Sequence, residues 1–185
     1  MIIQGNDPYT QPSFSLGNRL LRALWGVLWL LLFRPSPRPM HVWRRLLLRL
    51  FGAKIGQHVH VYPNVKVWAP WQLIVGNKVG IADGVTLYNM AQIEIADDCV
   101  VSQGAHLCCG THHIDSANFQ LVAKPIKLEK NVWVCAEAFV GPGVTIAEGC
   151  VLGARAVVVK SIDAPYSVWV GNPAVMKRMR KRHNE

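Results

Sequence analysis

Charged residues are scarce in this sequence, and acidic residues are the scarcest. Only 17% of the 185 residues are charged and 51% are hydrophobic, and 11 Asp and Glu stand against 20 Lys and Arg, which gives a formal charge of +9. A chain this apolar is not intrinsically disordered, and its length suits one well-buried domain with a small appendage. No zinc-finger, helix-turn-helix or RNA-binding signature accompanies the basic charge, so we expect no nucleic-acid partner.

The sequence also lacks the C-x-x-C spacing of zinc sites, since none of its five cysteines has it. Their odd number and irregular spacing indicate reduced thiols in a cytoplasmic protein. We expect no cleavable signal peptide, because the first residues are polar and no small-residue cleavage site follows the apolar run. That run, ALWGVLWLLLF at 23–33, has 11 residues. A helix that spans a membrane needs roughly 20.

The first 54 residues form a region of their own. Residues 1–18 predict a polar, loosely ordered leader, and two apolar helices follow at 18–33 and 40–52. The prolines of RPSPRP at 34–39 separate them, since proline removes a donor and fixes φ. Two interpretations stay open: the helices pack on the main domain, or they lie on the inner face of the cytoplasmic membrane with Trp and Leu in the lipid and Arg at the headgroups.

From Ile55 onward the sequence repeats every six residues. Fifteen register positions all hold Ile, Leu or Val, in five groups of three that begin at 55, 75, 95, 128 and 146. A hexapeptide repeat in triplets predicts triangular coils of about eighteen residues, in which the aliphatic residues point inward and the coils stack as parallel sheets. We therefore predict an all-β solenoid of about five coils over 55–163. The segment 164–185, with its basic cluster at 177–182, predicts a short helix or tail.

The repeat is interrupted after the third coil, and we predict a loop at 113–127. A solenoid gains function where a loop leaves its wall. The stretch LCCGTHHID at 107–115 lies at this point and raises the question of a metal site or a thiol nucleophile. His60, His106 and His112 fall on three different faces, so we expect no metal site. Cys108 and Cys109 are expected to be small wall residues, one outward and one near the core, and Thr111 a corner residue.

Several segments together resemble the left-handed β-helix acyltransferases with hexapeptide repeats. They are LLLFRPSPRPMHVWRRLLLRLFGAKIG, GTHHID, KNVWVCAEAFVGPGVTI, GARAVVVKSI and VWVGNPA. The resemblance is greatest to the colanic acid O-acetyltransferase branch, near the maltose and galactoside acetyltransferases. It implies the left hand of the coil, whereas general crossover rules favour the right hand. It also implies a homotrimer with active sites at subunit interfaces, acetyl-CoA as cosubstrate, no metal, and a sugar or lipid-linked glycan acceptor in exopolysaccharide assembly.

The same resemblance implies site residues. His112 is the general base that takes a proton from the acceptor hydroxyl, a task that suits the unperturbed pKa of histidine. His113, Asp115 and Asn89 are candidate acceptor-binding residues, and His113 is the alternative base. The implied coenzyme contacts are Ala136, Gly153, Ala154, Val159, Lys160 and Arg178. The N–H of Ala136 would bind the thioester oxyanion, small Gly153 and Ala154 would admit the pantetheine arm, and Lys160 and the basic tail would hold the phosphates.

Transfer is expected to be direct, because the thioester of coenzyme A already carries the acyl group and no covalent enzyme intermediate is needed. Two alternatives from other classes stay open at this point. One is a metal-dependent hydratase on the same fold, and the other is a noncatalytic trimeric scaffold.

Overall fold

Three parallel sheets form the walls of a triangular solenoid. The structure, a computed structural model, describes residues 2–6 and 8–181. The first wall contains β1 (Lys54–Ile55), β4 (Leu73–Val75), β7 (Ile93–Ile95), β12 (Ile126–Leu128) and β15 (Thr145–Ile146). The second contains β2 (His60–Val61), β5 (Gly80–Ile81), β8 (Val100–Val101), β13 (Trp133–Val134), β16 (Val151–Leu152) and β18 (Ser167–Val170). The third contains β3 (Lys66–Val67), β6 (Thr86–Tyr88), β9 (His106–Cys108), β14 (Phe139–Val140) and β17 (Val157–Val158).

These strands make five complete coils and the beginning of a sixth. Ile162 forms a parallel bridge with Ile146 on the first wall, and β18 pairs with β16 on the second. The predicted all-β solenoid is confirmed, with an incomplete sixth coil added to the five.

The hexapeptide register fills the solenoid with one continuous aliphatic column. All fifteen register residues are buried, and the most exposed of them, Ile55, is 8% exposed. Because neighbouring coils pair in register, each inward residue stacks on its equivalent one coil away, as Val134 does on Val101 and on Leu152. No single coil could bury such a column alone, so the coils stabilise one another.

The corner between the first and second walls shows how closely the coils approach. The side chain of Asn77 accepts a hydrogen bond from the N–H of Gln57 (2.8 Å), and Asp97 accepts one from the N–H of Asn77 (2.7 Å). At Gly56 a Cβ atom would stand 2.4 Å from the carbonyl oxygen of Gly76. Glycine at position 56 is therefore required by the spacing of the coils.

Two helices cover the start of the solenoid. Helix α1 (Leu16–Leu28) continues into a π-helical turn, Trp29–Phe33, and α2 is His41–Leu50. The indole N–H groups of Trp25 and Trp29 donate to the carbonyl oxygens of Val67 (2.7 Å) and Val65 (2.8 Å). The helices therefore pack on the first coil, as the first of the two sequence interpretations holds.

Arg44 of α2 fixes the turn between the helices. Its side chain is fully buried, and its guanidinium donates to the carbonyl oxygens of Val61 (2.6 Å) and Pro37 (2.9 Å) and to Oγ of Ser36 (2.8 Å). Burial lowers the pKa of Arg44. Among the described residues its hydrogen-bond partners are neutral oxygens and the ring of His41, so the cation is held by dipoles and not by an ion pair.

Both ends of the chain differ from the sequence prediction. The C-terminal segment forms neither a helix nor a loose tail up to residue 181: β19 (Val175–Met179) turns back and pairs antiparallel with β18, on the edge of β18 that faces away from β16. Residues 182–185, the end of the predicted basic tail, lie outside the described residues. The leader is not loose either, since Ile2 bridges Phe14 and the N–H of Ile3 donates to the carbonyl oxygen of Ser13 (2.9 Å).

Candidate active site

The interruption of the repeat is a β-hairpin that projects from the solenoid. Strands β10 (Gly110–His112) and β11 (Leu121–Ala123) pair antiparallel, with His112 opposite Leu121. The chain leaves the third wall after Cys108 and rejoins the first wall at Ile126. The excursion thus begins a few residues before the predicted 113, and Thr111, predicted as a corner, is an exposed hairpin residue. The hexapeptide register could not show this, because an antiparallel strand lies outside it.

His112 is half-buried, and its ring has two contacts with one residue. Its Nδ1 lies 2.8 Å from the carbonyl oxygen of Phe119. Its ring stacks on the Phe119 ring, with centroids 4.3 Å apart and planes at 18°. A carbonyl oxygen only accepts, so Nδ1 of the neutral imidazole carries the proton and Nε2 keeps its lone pair. This is the tautomer that a general base acting through Nε2 requires.

The loop that presents Phe119 is tightly hydrogen-bonded. The N–H of Phe119 donates to the carbonyl oxygen of Ser116 (2.9 Å), and Oγ of Ser116 donates to the carbonyl oxygen of His113 (2.8 Å). Phe119 itself has φ +46°, in the left-handed region. For a bulky residue this conformation costs about 1–3 kcal/mol and persists only where surrounding contacts impose it.

The candidate acceptor residues separate into two groups. His113 and Asp115 are exposed at the turn of the hairpin, next to His112. Asn89 is fully buried: its Oδ1 accepts from the N–H of Ala69 (3.0 Å) and its Nδ2 donates to the Ala69 carbonyl oxygen (2.6 Å). The Asn89 prediction is thus corrected, because this amide closes a corner between two coils and presents no atom to an acceptor.

Two predicted coenzyme residues meet in a pocket at the last coils. Val159 and Lys160 line a cavity of about 310 Å³ together with Trp169, Pro173 and Ala174. Gly153 donates its N–H to the carbonyl oxygen of Trp169 (2.7 Å), and a Cβ there would lie 2.8 Å from Cγ1 of Val170. Packing against the sixth coil already explains this glycine, whereas the sequence prediction attributed it to the pantetheine arm.

The other predicted coenzyme residues lie on the surface nearby. Ala136 and Ala154 occupy equivalent corners of the fourth and fifth coils, and within the described residues neither N–H has an acceptor. Arg178 does not line the pocket: it is exposed on β19, where its guanidinium donates to the carbonyl oxygen of Met179 (2.9 Å).

The metal and thiol interpretations receive no structural support. His60, His106 and His112 lie on β2, β9 and β10, in three different sheets. Across residues 2–6 and 8–181, no group of three His, Cys, Asp or Glu could hold a metal ion. Cys108 is half-buried on the wall, and Cys109 is buried, which raises the pKa of its thiol to about 12. A thiol of that pKa is not a nucleophile near neutral pH.

Sequence reasoning missed the residues that hold His112. Phe119 and Gln120 carry no chemistry of their own, and nothing in a single sequence indicates that a left-handed Phe stacks on an imidazole. Trp169 was also missed, although VWVGNPA contains it. A usable signal was the Phe within an otherwise small and polar loop, SANFQ, because an aromatic residue there needs a surface to cover it.

Comparison with known proteins identifies acetyltransferases as relatives of this chain. No family model matches the chain. It is 42% identical over 168 residues to the colanic acid biosynthesis acetyltransferase WcaF of Escherichia coli (strain K12), which covers 91% of this chain and 92% of that protein. It is 26% identical over 133 residues to the galactoside O-acetyltransferase of the same organism, which covers 70% of this chain and 65% of that protein.

Solved structures share the fold. A hexapeptide-repeat acetyltransferase from Vibrio cholerae O1 biovar eltor, complexed with acetyl coenzyme A, superposes with a TM-score of 0.82 at 24% identity over 91% of both chains. A galactoside acetyltransferase in complex with coenzyme A gives 0.81 at 23% identity, over 91% of this chain and 84% of that one. The solenoid is therefore the left-handed parallel β-helix of these proteins.

Proposed function

Since the chain belongs to the family of hexapeptide-repeat acetyltransferases that includes WcaF, and is an acetyl-CoA-dependent O-acetyltransferase, we propose that it acetylates a sugar hydroxyl in exopolysaccharide assembly with His112 as the base. The observation that carries this assignment is the hydrogen bond from Nδ1 of His112 to the Phe119 carbonyl oxygen. It leaves Nε2 unprotonated and held in one direction. Neither the hydratase nor the scaffold alternative has support from the relatives.

In the proposed mechanism, His112 first activates the acceptor. Nε2 removes the proton from the sugar hydroxyl as its oxygen attacks the carbonyl carbon of the acetyl thioester. The N–H of Ala136, which has no acceptor within the described part of the chain, donates to the oxyanion of the tetrahedral intermediate. The imidazolium then returns its proton to the departing coenzyme A sulfur, so the base is regenerated without an acyl-enzyme.

For the cosubstrate we propose the groove along the last coils. Val159 and Lys160 line the cavity there, and Gly153, Ala154 and Ala136 follow one corner toward the fourth coil. Lys160 is exposed and cationic, as a phosphate contact requires. Arg178 is a weaker candidate because its side chain is turned to the β19 backbone in this structure.

Substitution of the two neighbouring histidines tests the base. A thiol-release assay with acetyl-CoA against free, nucleotide-linked and lipid-linked sugars should show His112→Ala reduced by ~10²–10⁴ in kcat. His113→Ala is the matched control and should retain kcat. The reverse result, with His113→Ala inactive and His112→Ala active, would assign the base to His113.

We propose a homotrimer with active sites between subunits. Val100 and Trp133 are neighbours in register on the outer surface of the second wall, and both are almost half exposed (45% and 46%). An exposed pair of this kind suits a subunit contact. Trp133→Glu should lower the mass measured by light scattering to that of a monomer. An unchanged mass would move the contact to another wall.

We also propose that the enzyme is cytoplasmic, as its five free cysteines suggest, and that it rests on the membrane surface. The segment Leu16–Phe33 is long and apolar enough to cross a membrane, and 11% of it is buried. A spanning orientation would break the bonds of Trp25 and Trp29 to the first coil. An orientation along the surface keeps them.

The exposed side chains of the two helices support this orientation. One face of α1 and its π-helical turn presents Leu16, Leu20, Leu24, Val27 and Leu31, each more than half exposed, and α2 adds Val42, Leu46 and Leu50. The turn between the helices carries exposed Arg34 and Arg38, and α2 carries exposed Arg49. An apolar stripe beside cationic residues suits an interface with anionic lipid.

Vesicle flotation tests the membrane proposal. The wild-type enzyme should float with phosphatidylglycerol-containing vesicles, and Leu20→Ser combined with Leu24→Ser should remain at the bottom of the gradient while keeping kcat on a soluble acceptor. Equal flotation of both proteins, or none by the wild type, would contradict the proposal. A change of oligomer mass in the double variant would assign the stripe to a subunit contact.

A further inference from the structure

The N-terminal segment is fastened to the hairpin that carries His112. We call residues 2–14 the strap; its described parts are 2–6 and 8–14. The N–H of Gly5 donates to Oε1 of Gln120 (2.9 Å), and Nε2 of Gln120 donates to the carbonyl oxygens of Ile3 (3.3 Å) and Leu121 (3.0 Å). Gln120 is only 7% exposed. One buried amide therefore joins segments 115 positions apart in sequence.

A second set of contacts lies beside this amide. The ring of Tyr9 stacks on the ring of Phe119, with centroids 6.3 Å apart and planes at 25°. Nδ2 of Asn118 donates to the carbonyl oxygen of Asn6 (3.4 Å). The strap thus contacts three consecutive residues of the hairpin loop, and the middle one is the residue that binds His112 through both its carbonyl oxygen and its ring.

We propose that the strap is a positioning element for the catalytic base, and that Gln120 is the positioning residue through which it acts. This inference rests on the proposed role of His112. The strap contacts hold Phe119 in its left-handed conformation, and that conformation aims the Phe119 carbonyl oxygen at Nδ1 of His112. Gln120 touches neither the imidazole nor the reacting atoms in this arrangement.

The physical reason is the cost of the left-handed conformation. Without the strap, the Phe119 ring loses its contact with Tyr9 and Asn118 loses its bond to Asn6, and the backbone can relax to negative φ. The carbonyl oxygen then turns away, and Nδ1–H loses its acceptor. The imidazole is free to exchange tautomers, and the form protonated at Nε2 cannot accept a proton from the acceptor. Only the fraction of enzyme molecules with the Nδ1–H tautomer of His112 can then catalyse the transfer.

Gln120→Ala tests the positioning role, with Gln11→Ala as the control because Gln11 is an exposed strap residue. The acceptor probe is methyl β-galactopyranoside with acetyl-CoA. We expect Gln120→Ala to lower kcat by about 10- to 100-fold, as displaced catalytic groups do, and to leave the KM for acetyl-CoA unchanged. Gln11→Ala should match the wild type. Deletion of residues 2–14 should reproduce the Gln120→Ala result.

A readout besides activity separates positioning from general loosening. In ¹⁵N-histidine NMR spectra, the His112 signals, assigned by their absence in His112→Ala, should show the Nδ1–H tautomer in the wild type. In Gln120→Ala the Nε2–H tautomer should appear. Should Gln120→Ala fail to fold, Tyr9→Ala serves instead, because Tyr9 is 78% exposed and its truncation opens no core cavity. Tyr9→Ala should also lower kcat and raise the population of the Nε2–H tautomer, each by less than Gln120→Ala does.

The outcomes discriminate between the two proposals. Wild-type kcat together with an unchanged Nδ1–H signal in Gln120→Ala and in the strap deletion overturns the positioning role and leaves the base assignment standing. Full activity of His112→Ala overturns the base assignment, whatever the strap variants show. A lower kcat in Gln120→Ala with an unchanged tautomer also overturns the inference, since the loss would then have another cause.

Discussion

The fourth coil and the hairpin before it are built on different principles. In the coil, every sixth residue is aliphatic and buried, and each strand pairs with an equivalent strand above and below. In the hairpin, individual contacts take the place of the repeat: one carbonyl oxygen binds Nδ1 of His112, and the buried amide of Gln120 is one of several contacts between the loop and the strap. The coils stabilise one another through one shared aliphatic column, whereas the contacts around His112 occur once among the described residues. The proposed base, His112, lies in the unrepeated part.

The largest expected difference between the coils and the hairpin is in the stability effect of two aliphatic residues. Leu107 is fully buried in the third coil, and Ile114 is 74% exposed in the hairpin. Leu107→Ala should lower the free energy of unfolding by about 2–5 kcal/mol, since it leaves a cavity in the column. Ile114→Ala should change it by less than about 0.5 kcal/mol. Urea unfolding followed by circular dichroism measures both, and equal effects would contradict the distinction.

A pair of glycines tests the spacing of the coils. In Gly56→Ala the new methyl group meets the carbonyl oxygen of Gly76 at 2.4 Å, so the first two coils must separate. We expect a loss of about 1–3 kcal/mol, typical of overpacking. Gly80 is a strand residue at which an added Cβ would have no neighbouring atom within 4 Å, so Gly80→Ala should leave stability unchanged or raise it. Thermal unfolding of the two variants side by side provides the measurement.

Asn89 lies in a coil corner, although the sequence predicted it to bind the acceptor. Asn89→Ala removes the partners of the Ala69 N–H and carbonyl oxygen in a fully buried position. The loss should be about 1–3 kcal/mol of unfolding free energy. The KM for the acceptor should remain at its wild-type value. A raised KM without loss of stability would restore Asn89 to the acceptor site.

The last prediction concerns the buried thiols, and its effect is confined to alkaline pH. Burial raises the pKa of Cys109 to about 12 and that of Cys99 to about 11, from an ordinary value of 9.0. The native state thus favours the neutral thiols. Their contribution to the free energy of unfolding is fully present below pH 9, the ordinary pKa, and is lost as the pH rises through the native pKa values of about 11 and about 12. The free energy of unfolding should fall by at most about 1.4 kcal/mol per pH unit for each thiol. Cys109→Ala should flatten this dependence, and an identical pH curve would contradict the assignment.

The division between the two regions also explains what the sequence could predict. The coils, their order and their inward residues follow from a period that repeats fifteen times, so the fold prediction is confirmed. The first and last residues of the hairpin cannot be predicted from the period, because β10 and β11 pair with each other and lie outside the hexapeptide register. The leader was predicted as loose and the segment of β19 as a short helix or tail for the same reason: their partners lie on distant parts of the chain, and no local pattern indicates them.

The site divides in the same way. His112 was proposed from a motif, GTHHID, whereas the contacts of Phe119 and Gln120 depend on a geometry that only the folded loop creates. Asn89 illustrates the opposite error. An amide resembles a substrate ligand in sequence, yet here both of its polar atoms are occupied by one peptide group.

The antiparallel pairing of β19 with β18 also affects whether copies of this chain can stack end to end. A stack of parallel coils could in principle continue from one copy into the next, since each terminal coil offers the same backbone pattern that its neighbours use. Here β19 occupies that position on the second wall at one end, and α2 lies against β1 and β2 at the other. End-to-end joining of copies would therefore have to displace β19 from the second wall and α2 from the first coil, whereas contact through the exposed Val100 and Trp133 would displace neither.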